Sequence, residues 1–218
     1  MERLTIKSYK ARGTRITPAQ SAARVELWTK YGIENDHAID PQVIFPTASE
    51  IIVEIGYGMG EATATIAREF PQNGYFAIEV HQPGIGKLIT ILEEHTMTNV
   101  KLIDADAHEV LEDIFPNKSV DGVHLFFPDP WPKSRHHKRR IVNEGFLELI
   151  SKKIKQGGYI HIATDWQPYA VWIQEVFEQS NLFSGGEVER PKWRPPTRFE
   201  KKGLSKDHEV SDFRYFLH

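Results

Sequence analysis

The stretches of this chain that could do chemistry mostly pair a carboxylate with glycine, proline or an aromatic ring. The first is Val53-Glu54-Ile55-Gly56-Tyr57-Gly58-Met59-Gly60. Glycine permits positive φ and close approach of a ligand to the backbone, so Gly56, Gly58 and Gly60 mark a loop that a ligand can touch. A dinucleotide fingerprint would put its third glycine at position 61, where this chain has Glu61. A carboxylate there would crowd a pyrophosphate. S-adenosylmethionine has no phosphate, and its ammonium suits a nearby acid, which Glu54 supplies. A glycine-rich turn with no ligand is the plainer alternative. Glu79 follows Gly60 by 19 residues. A carboxylate there can accept both ribose hydroxyls of an adenosine, although alone it reads equally as a surface residue. Asp106, within Asp104-Ala105-Asp106-Ala107, could accept the adenine amino group or cap a helix.

A second group of residues suits the other reactant. In Phe126-Phe127-Pro128-Asp129-Pro130-Trp131, prolines on both sides of Asp129 fix φ and push the residues before them toward extended backbone. The expected result is a stiff loop presenting one carboxylate and one ring. Lys133, Arg135, Lys138, Arg139 and Arg140 follow directly, and such a cluster can hold phosphates while the loop holds a base. Ala163-Thr164-Asp165-Trp166 should face the same crevice, with Trp166 either a stacking platform or a packing residue. Arg194-Pro195-Pro196-Thr197-Arg198-Phe199-Glu200 offers Phe199 and two arginines to single-stranded RNA, or is an extended surface linker.

Charge supports a polyanion partner. The net charge is −3, but it is segregated. Residues 1–15, 133–140 and 190–202 hold 16 basic and two acidic side chains, and the other 182 residues hold 11 and 28. Such segregation suggests nucleic acid despite the acidic average; three solvated surface segments are the bland alternative. Cysteine is absent, which removes disulfides, thiolate zinc sites and a cysteine nucleophile. The ten histidines form no H-E-x-x-H pattern, so no metal is expected. Met1 to Gly13 has no apolar leader, and no apolar run approaches the ~18 residues of a membrane span. A cytoplasmic protein is expected, with no membrane and no obligate protein partner, as a monomer or homodimer.

The elements that must position these residues alternate. Strands are predicted at 51–55, 75–80, 100–104, 121–127, 159–164 and 212–217. Helices are predicted at 17–31, 60–70, 83–95, 107–114, 143–155 and 168–179, with Gly157-Gly158 ending the fifth. Residues 1–16 read as a mobile basic arm and 35–49 as a connector, so residues 1–48 precede a catalytic domain over 49–218. Strict β-α alternation implies an α/β fold with a doubly wound, mostly parallel sheet. Its ligands should lie beyond the strand carboxyl ends, at the topological switch point.

From about Ile51 to the C-terminus the chain resembles the bacterial tRNA (guanine-N7-)-methyltransferase family, the TrmB type. The motifs that carry the likeness are E-I-G-Y-G-M-G, I-E-V-H, F-F-P-D-P-W-P-K-S-R-H-H-K-R-R, A-T-D-W-Q-P-Y-A and T-R-F-E. The resemblance implies the seven-stranded, Rossmann-like class I methyltransferase fold. It further implies methylation of a tRNA guanine at position 46 of the variable loop, with S-adenosylhomocysteine as the second product. By the family pattern, cofactor contacts fall on Glu54, Glu79, Asp106 and Asp129. tRNA or guanine contacts fall on Lys133, Asp165 and Thr197, Arg198, Phe199 and Glu200.

Guanine N7 presents an in-plane lone pair without a proton, so its attack needs no general base. Positioning is the expected work, worth roughly 7–11 kcal/mol. A carboxylate beside the guanine could stabilise the charge that arrives on it. Asp129 is the first candidate and Asp165 the second; either could instead accept from guanine N1 and N2. A methyltransferase for protein or small molecules, and a non-catalytic RNA-binding module, are the competing readings.

Overall fold

The computed structural model describes residues 7–9, 15–197, 200 and 209–218. Runs of branched and aromatic residues form β1 (Ile51–Ile55), β2 (Gly74–Ile78), β3 (Val100–Ile103), β4 (Val120–Phe126) and β5 (Ile154–Thr164), which pair in parallel. β6 (Phe183–Val188) and β7 (Ser211–Leu217) close the sheet antiparallel. The order is β3-β2-β1-β4-β5-β7-β6, the doubly wound arrangement expected of alternating elements.

Helices cover both faces. α1 (Pro18–Tyr31), α3 (Glu61–Glu69) and α4 (Gln82–Glu94) pack on one, where Ile66, Ala67, Ile85, Leu88 and Leu92 meet Ile52, Tyr75, Ala77 and Leu102. On the other lie α2 (Pro41–Ile44), α5 (Ala107–Glu109) with its continuing π-turn Val110–Ile114, α6 (Glu144–Lys153) and α7 (Gln167–Glu178). Among the described residues no helix is long and apolar enough to cross a membrane.

The predicted helix starts follow from capping chemistry. Thr17 accepts from the Gln20 amide while the Gln20 side chain accepts from the Thr17 amide, a reciprocal capping box that satisfies two orphan donors. Asn143 caps α6 through the Phe146 amide.

Three expectations need correction. The helix predicted to run to Lys155 stops at Lys153, because Ile154 pairs with Val120 and begins β5. Gly157, at φ 76°, lies inside that strand rather than ending the helix. The connector holds α2 and lends Ile39 and Phe45 to the core, so it is packed chain. β6 escaped prediction because Gly185-Gly186 erases its apolar alternation. Of the basic arm, residues 1–6 and 10–14 lie outside the described residues.

One contact ties the fold to the glycine motif. A Cβ on Gly84 in α4 would collide with the Gly58 carbonyl oxygen, so α4 is seated directly against the loop after β1. Gly84→Ala should therefore displace that loop. The expected outcome is a loss of about 1–3 kcal/mol of stability and at least about tenfold weaker cofactor binding, measured by thermal unfolding and calorimetry.

Candidate active site

A cavity of about 490 Å³ opens at the carboxyl edge of the sheet, between the loops that follow β1, β2, β3 and β4. Its walls include Ile55, Ile78, Ala105, Ala107, Leu125 and Ile141, with Gly56, Gly58, Glu79 and Asp129 among its polar and backbone surfaces. The position is the switch point, where β1 is flanked by β2 on one side and β4 on the other.

The glycine loop folds as its sequence requires. Gly56, Gly58 and Gly60 take φ of 71°, 61° and 78°, values that L side chains rarely adopt. Nothing lies within 4 Å of the place a Gly56 Cβ would occupy, so that backbone is open to a ligand. Glu54, at the end of β1, is buried, and its Oε2 has no hydrogen-bond partner. Burial pushes its pKa up to about 7. An orphaned buried carboxylate oxygen is what an incoming ammonium would satisfy.

Glu79 accepts three backbone N–H bonds, from Gly58 at 2.8 Å, Val80 at 2.8 Å and His81 at 3.1 Å. These lock the end of β2 to the glycine loop. A carboxylate has about four acceptor sites, so taking both ribose hydroxyls, as expected from sequence, requires one amide to let go. Asp106 caps α5 through the His108 amide at 2.9 Å, between the two alanines that line the cavity. Its neighbour Asp104, which residue type alone does not single out, accepts from Gln82 at 3.0 Å and pairs with Arg24 of α1.

The proline loop departs from expectation. Phe127 and Trp131 each precede a proline, yet their φ values are 52° and 45°, not extended. Tertiary contacts override the local preference. The Phe127 amide bonds the Ala163 carbonyl of β5 at 2.8 Å. The Trp131 indole donates to the Ser8 carbonyl at 2.8 Å and stacks under the Arg139 guanidinium at 4.0 Å. Asp129 sits on the cavity wall between these two points.

The basic segment is a 3₁₀ turn, Ser134–Arg139, and it splits. Lys133, Arg135 and Lys138 are exposed. Arg139 donates to the Lys7 carbonyl at 3.0 Å. Lys7, Ser8 and Tyr9 thus lie along the cavity, a role nothing in their residue types announces. Arg140 corrects the expected phosphate contact. It is 3% exposed, donates to the Pro130 carbonyl at 3.0 Å, and lies over the rings of Tyr169 and Trp172 at 5.1 and 5.0 Å.

Asp165 and Trp166 follow β5, two residues past the Ala163 carbonyl that holds Phe127. Trp166 packs on the core, the second of its two readings. Thr197 and Glu200 form a capping box of their own: the Glu200 amide bonds Thr197 Oγ1 at 3.1 Å, and the Thr197 amide bonds Glu200 Oε2 at 3.3 Å. Glu200 is 3% exposed and pairs with Arg194, itself 1% exposed. Both were expected on an open surface; the structure puts them inside. Arg198 and Phe199 lie outside the described residues. Among the described residues no group of three or more His, Asp or Glu side chains could hold a metal ion.

Residues 48–213 match a protein-family model described as "Putative methyltransferase". A protein of Nitrosospira multiformis is 46% identical over 211 residues, covering 95% of this chain and 92% of its own length. One from Nitrosomonas europaea is 44% identical, covering 95% and 94%. One from Streptomyces avermitilis is 42% identical, covering 96% and 74%. Each is named tRNA (guanine-N(7)-)-methyltransferase. Among solved structures, the 16S rRNA methyltransferase KamB superposes with a TM-score of 0.61 at 13% identity, covering 86% of this chain and 97% of its own. The aminoglycoside resistance methyltransferase NpmB1 superposes at 0.56 and 15%, covering 85% and 98%. At such identities these two establish the fold alone. The relatives' identity and coverage settle descent: the chain belongs to the tRNA (guanine-N(7)-)-methyltransferase family.

Proposed function

We propose that the cavity holds S-adenosylmethionine and that the chain methylates N7 of a tRNA guanine, at position 46 of the variable loop. The observation that carries this reading is the placing of Asp129. It lies on the cavity wall, on a proline-bounded loop that runs straight into exposed Lys133, Arg135 and Lys138.

The residues present fit the cofactor. Glu54 offers an unpaired buried oxygen to its ammonium, Gly56 leaves room for close approach, Glu79 lines the apolar slot that an adenosine would fill, and Asp106 stands between two alanines that line it. When bound, S-adenosylmethionine supplies a methyl group on a sulfonium, already electrophilic enough to need no activation. The chain's work is therefore to orient and to exclude water. Asp129 faces the point where positive charge reaches the guanine ring and stabilises it there. Asp165 stands second in that role. Exposed Lys133, Arg135 and Lys138 take phosphates, which fix register without reading bases. Thr197 to Glu200 remain candidates for guanine contact, with Thr197 and Glu200 acting from a preformed cap.

The product should be N7-methylguanosine, found by nucleoside analysis of unmodified tRNA after reaction with labelled S-adenosylmethionine. Label in N1- or N2-methylguanosine would refute the N7 assignment. Asp129→Asn keeps the loop and removes the charge. Its single-turnover rate at saturating cofactor and tRNA should fall by about 10²–10³, far more than cofactor affinity; lost affinity with a surviving rate would make Asp129 a cofactor contact instead.

Glu54 makes cofactor binding pH-dependent. Its carboxyl is raised to about 7 in the free protein, and only the ionised form pairs with an ammonium. Affinity should thus rise as pH goes up through about 7, with a proton released on binding below that point. Calorimetry in buffers of different ionisation heat checks this, and Glu54→Gln should abolish the dependence that remains after the cofactor's own titration.

Neutralising Arg135 and Lys138 should weaken tRNA binding and lower the log–log salt slope by roughly 0.7–0.9 per lost contact. Arg140→Met should instead cost about 1–3 kcal/mol of stability, because it leaves the Pro130 carbonyl unpaired. An unchanged slope would make the exposed cluster an ordinary solvated surface.

A further inference from the structure

On the face carrying α3 and α4, those helices cover β1 to β3, but over β4, β5 and β7 the described cover is residues 190–197 and Glu200. It is held there by a buried ionic clasp. Arg194 donates from Nε and one terminal nitrogen to the two oxygens of Asp212 on β7, at 2.6 and 2.8 Å. Its other terminal nitrogen donates to Glu200 at 2.7 Å. His161 on β5 lies 2.8 Å from Asp212, and Arg190 reaches Glu200 at 3.2 Å. Burial alone would raise the Asp212 pKa, but the bonds from His161 and Arg194 outweigh it and hold it low, so the clasp stays charged. Beside it Trp193 stacks on His124 at 5.0 Å and meets the edge of His161 at 5.1 Å.

A buried ion pair is poor evidence for stability, since a well-packed apolar substitute often does as well. What an apolar substitute cannot do is fix two carboxylates from separate segments in one plane, as the guanidinium fork does. The same guanidinium lies 5.7 Å over the ring of Phe127. Phe127 is the residue with left-handed φ two positions before Asp129. Arg194 therefore touches, at once, the sheet through Asp212, the Thr197–Glu200 cap through Glu200, and the kink that aims Asp129.

We propose that Arg194 is a positioning residue for the methyl transfer. It couples the cap formed by Thr197 and Glu200 to the Phe127 kink, so that those two residues and Asp129 are set relative to each other before substrate arrives. The inference rests on the reading of Asp129 given above. Misplacement of a reacting group by about 1 Å can cost up to about 10²-fold in rate.

The test uses the full-length protein with unmodified tRNA and S-adenosylmethionine. Arg194→Lys keeps the charge but cannot span both carboxylates, and Asp212→Asn weakens the sheet end of the clasp. Both should lower kcat by about 10- to 100-fold while the cofactor Kd stays within about threefold. The ¹⁹F resonance of Trp193 in fluorotryptophan-labelled protein should shift or broaden in both. Wild-type kcat in folded variants overturns the proposal. So does a parallel fall of kcat, cofactor affinity and thermal stability, which would make the clasp a fold element only. If the charged variants do not fold, Trp193→Leu loosens the same segment without unpairing a charge. It must still lower kcat at unchanged cofactor affinity, and normal turnover overturns the proposal. A slow Asp129→Asn with a normal Arg194→Lys overturns this inference alone. A normal Asp129→Asn overturns the reading it rests on, and this inference with it.

Discussion

Parallel pairing of β1 with β2 on one side and β4 on the other sets everything else in this molecule. The chain leaves β1 and β2 toward one face, through α3 and α4, and leaves β3, β4 and β5 toward the other, through α5, α6 and α7. The loops part at the β1–β4 seam, and a crevice remains there. The strand ends bring acids to this crevice or beside it: Glu79 from β2 and Asp129 after β4 line it, and Glu54 of β1 and Asp104 and Asp106 after β3 are sequence neighbours of lining residues. Carboxylates beside an apolar cavity need hydrogen-bond partners. Backbone amides serve Glu79, Arg24 and Gln82 serve Asp104, and the cap amide serves Asp106. Glu54 keeps one buried oxygen without a partner, and burial raises its pKa to about 7 although the Thr63 hydroxyl pulls the other way. A crevice with that residue suits a cation better than a phosphate.

Positive charge in the basic segments is used in two different ways. Lys133, Arg135 and Lys138 are exposed beside the cavity, where long-range attraction to a polyanion is available. Arg140 and Arg194 are interior, each with its guanidinium over aromatic rings and bonded to carbonyl or carboxylate oxygens. Planarity and five fixed donors suit arginine to such junctions, and lysine would not replace it. A count of basic residues along the chain cannot separate these uses, so the sequence overstates the polyanion surface.

What could be read from sequence follows the range of the physics. The glycine motif was legible because left-handed φ is written in residue type, and the structure has it at 56, 58 and 60. The strand ends were legible because apolar runs locate strands, and Glu54, Glu79 and Asp129 then fall at their ends by counting. Thr197-x-x-Glu200 is itself a capping-box signature, written in residue type at short range, although two prolines and two arginines around it give the same stretch the composition of an RNA-binding linker. The Asp212–Arg194–Glu200 clasp was not legible, since its members are 18 and six residues apart and meet only because β7 lies beside β5. The contact of Lys7 and Ser8 with Arg139 and Trp131 spans more than 120 residues and leaves no local trace.

Long-range contacts also hold the proline loop in a strained conformation. A residue before proline is driven toward extended backbone, yet Phe127 and Trp131 both hold left-handed φ. Each such residue costs of order 1–3 kcal/mol and persists only where its surroundings over-determine it. Against a total stability of roughly 5–15 kcal/mol, two of them in one six-residue stretch are a large local charge on the fold. The restraints lie at opposite ends. Phe127 is fixed by the Ala163 carbonyl and Arg194, and Trp131 by Ser8 and Arg139. The prolines between them remove the freedom to relax. The loop carrying Asp129 is thus held through Ser8 on one side and through Arg194 on the other. Two of the stretches that look in sequence like basic arms for a polyanion supply, in the structure, the contacts that keep this carboxylate on the cavity wall.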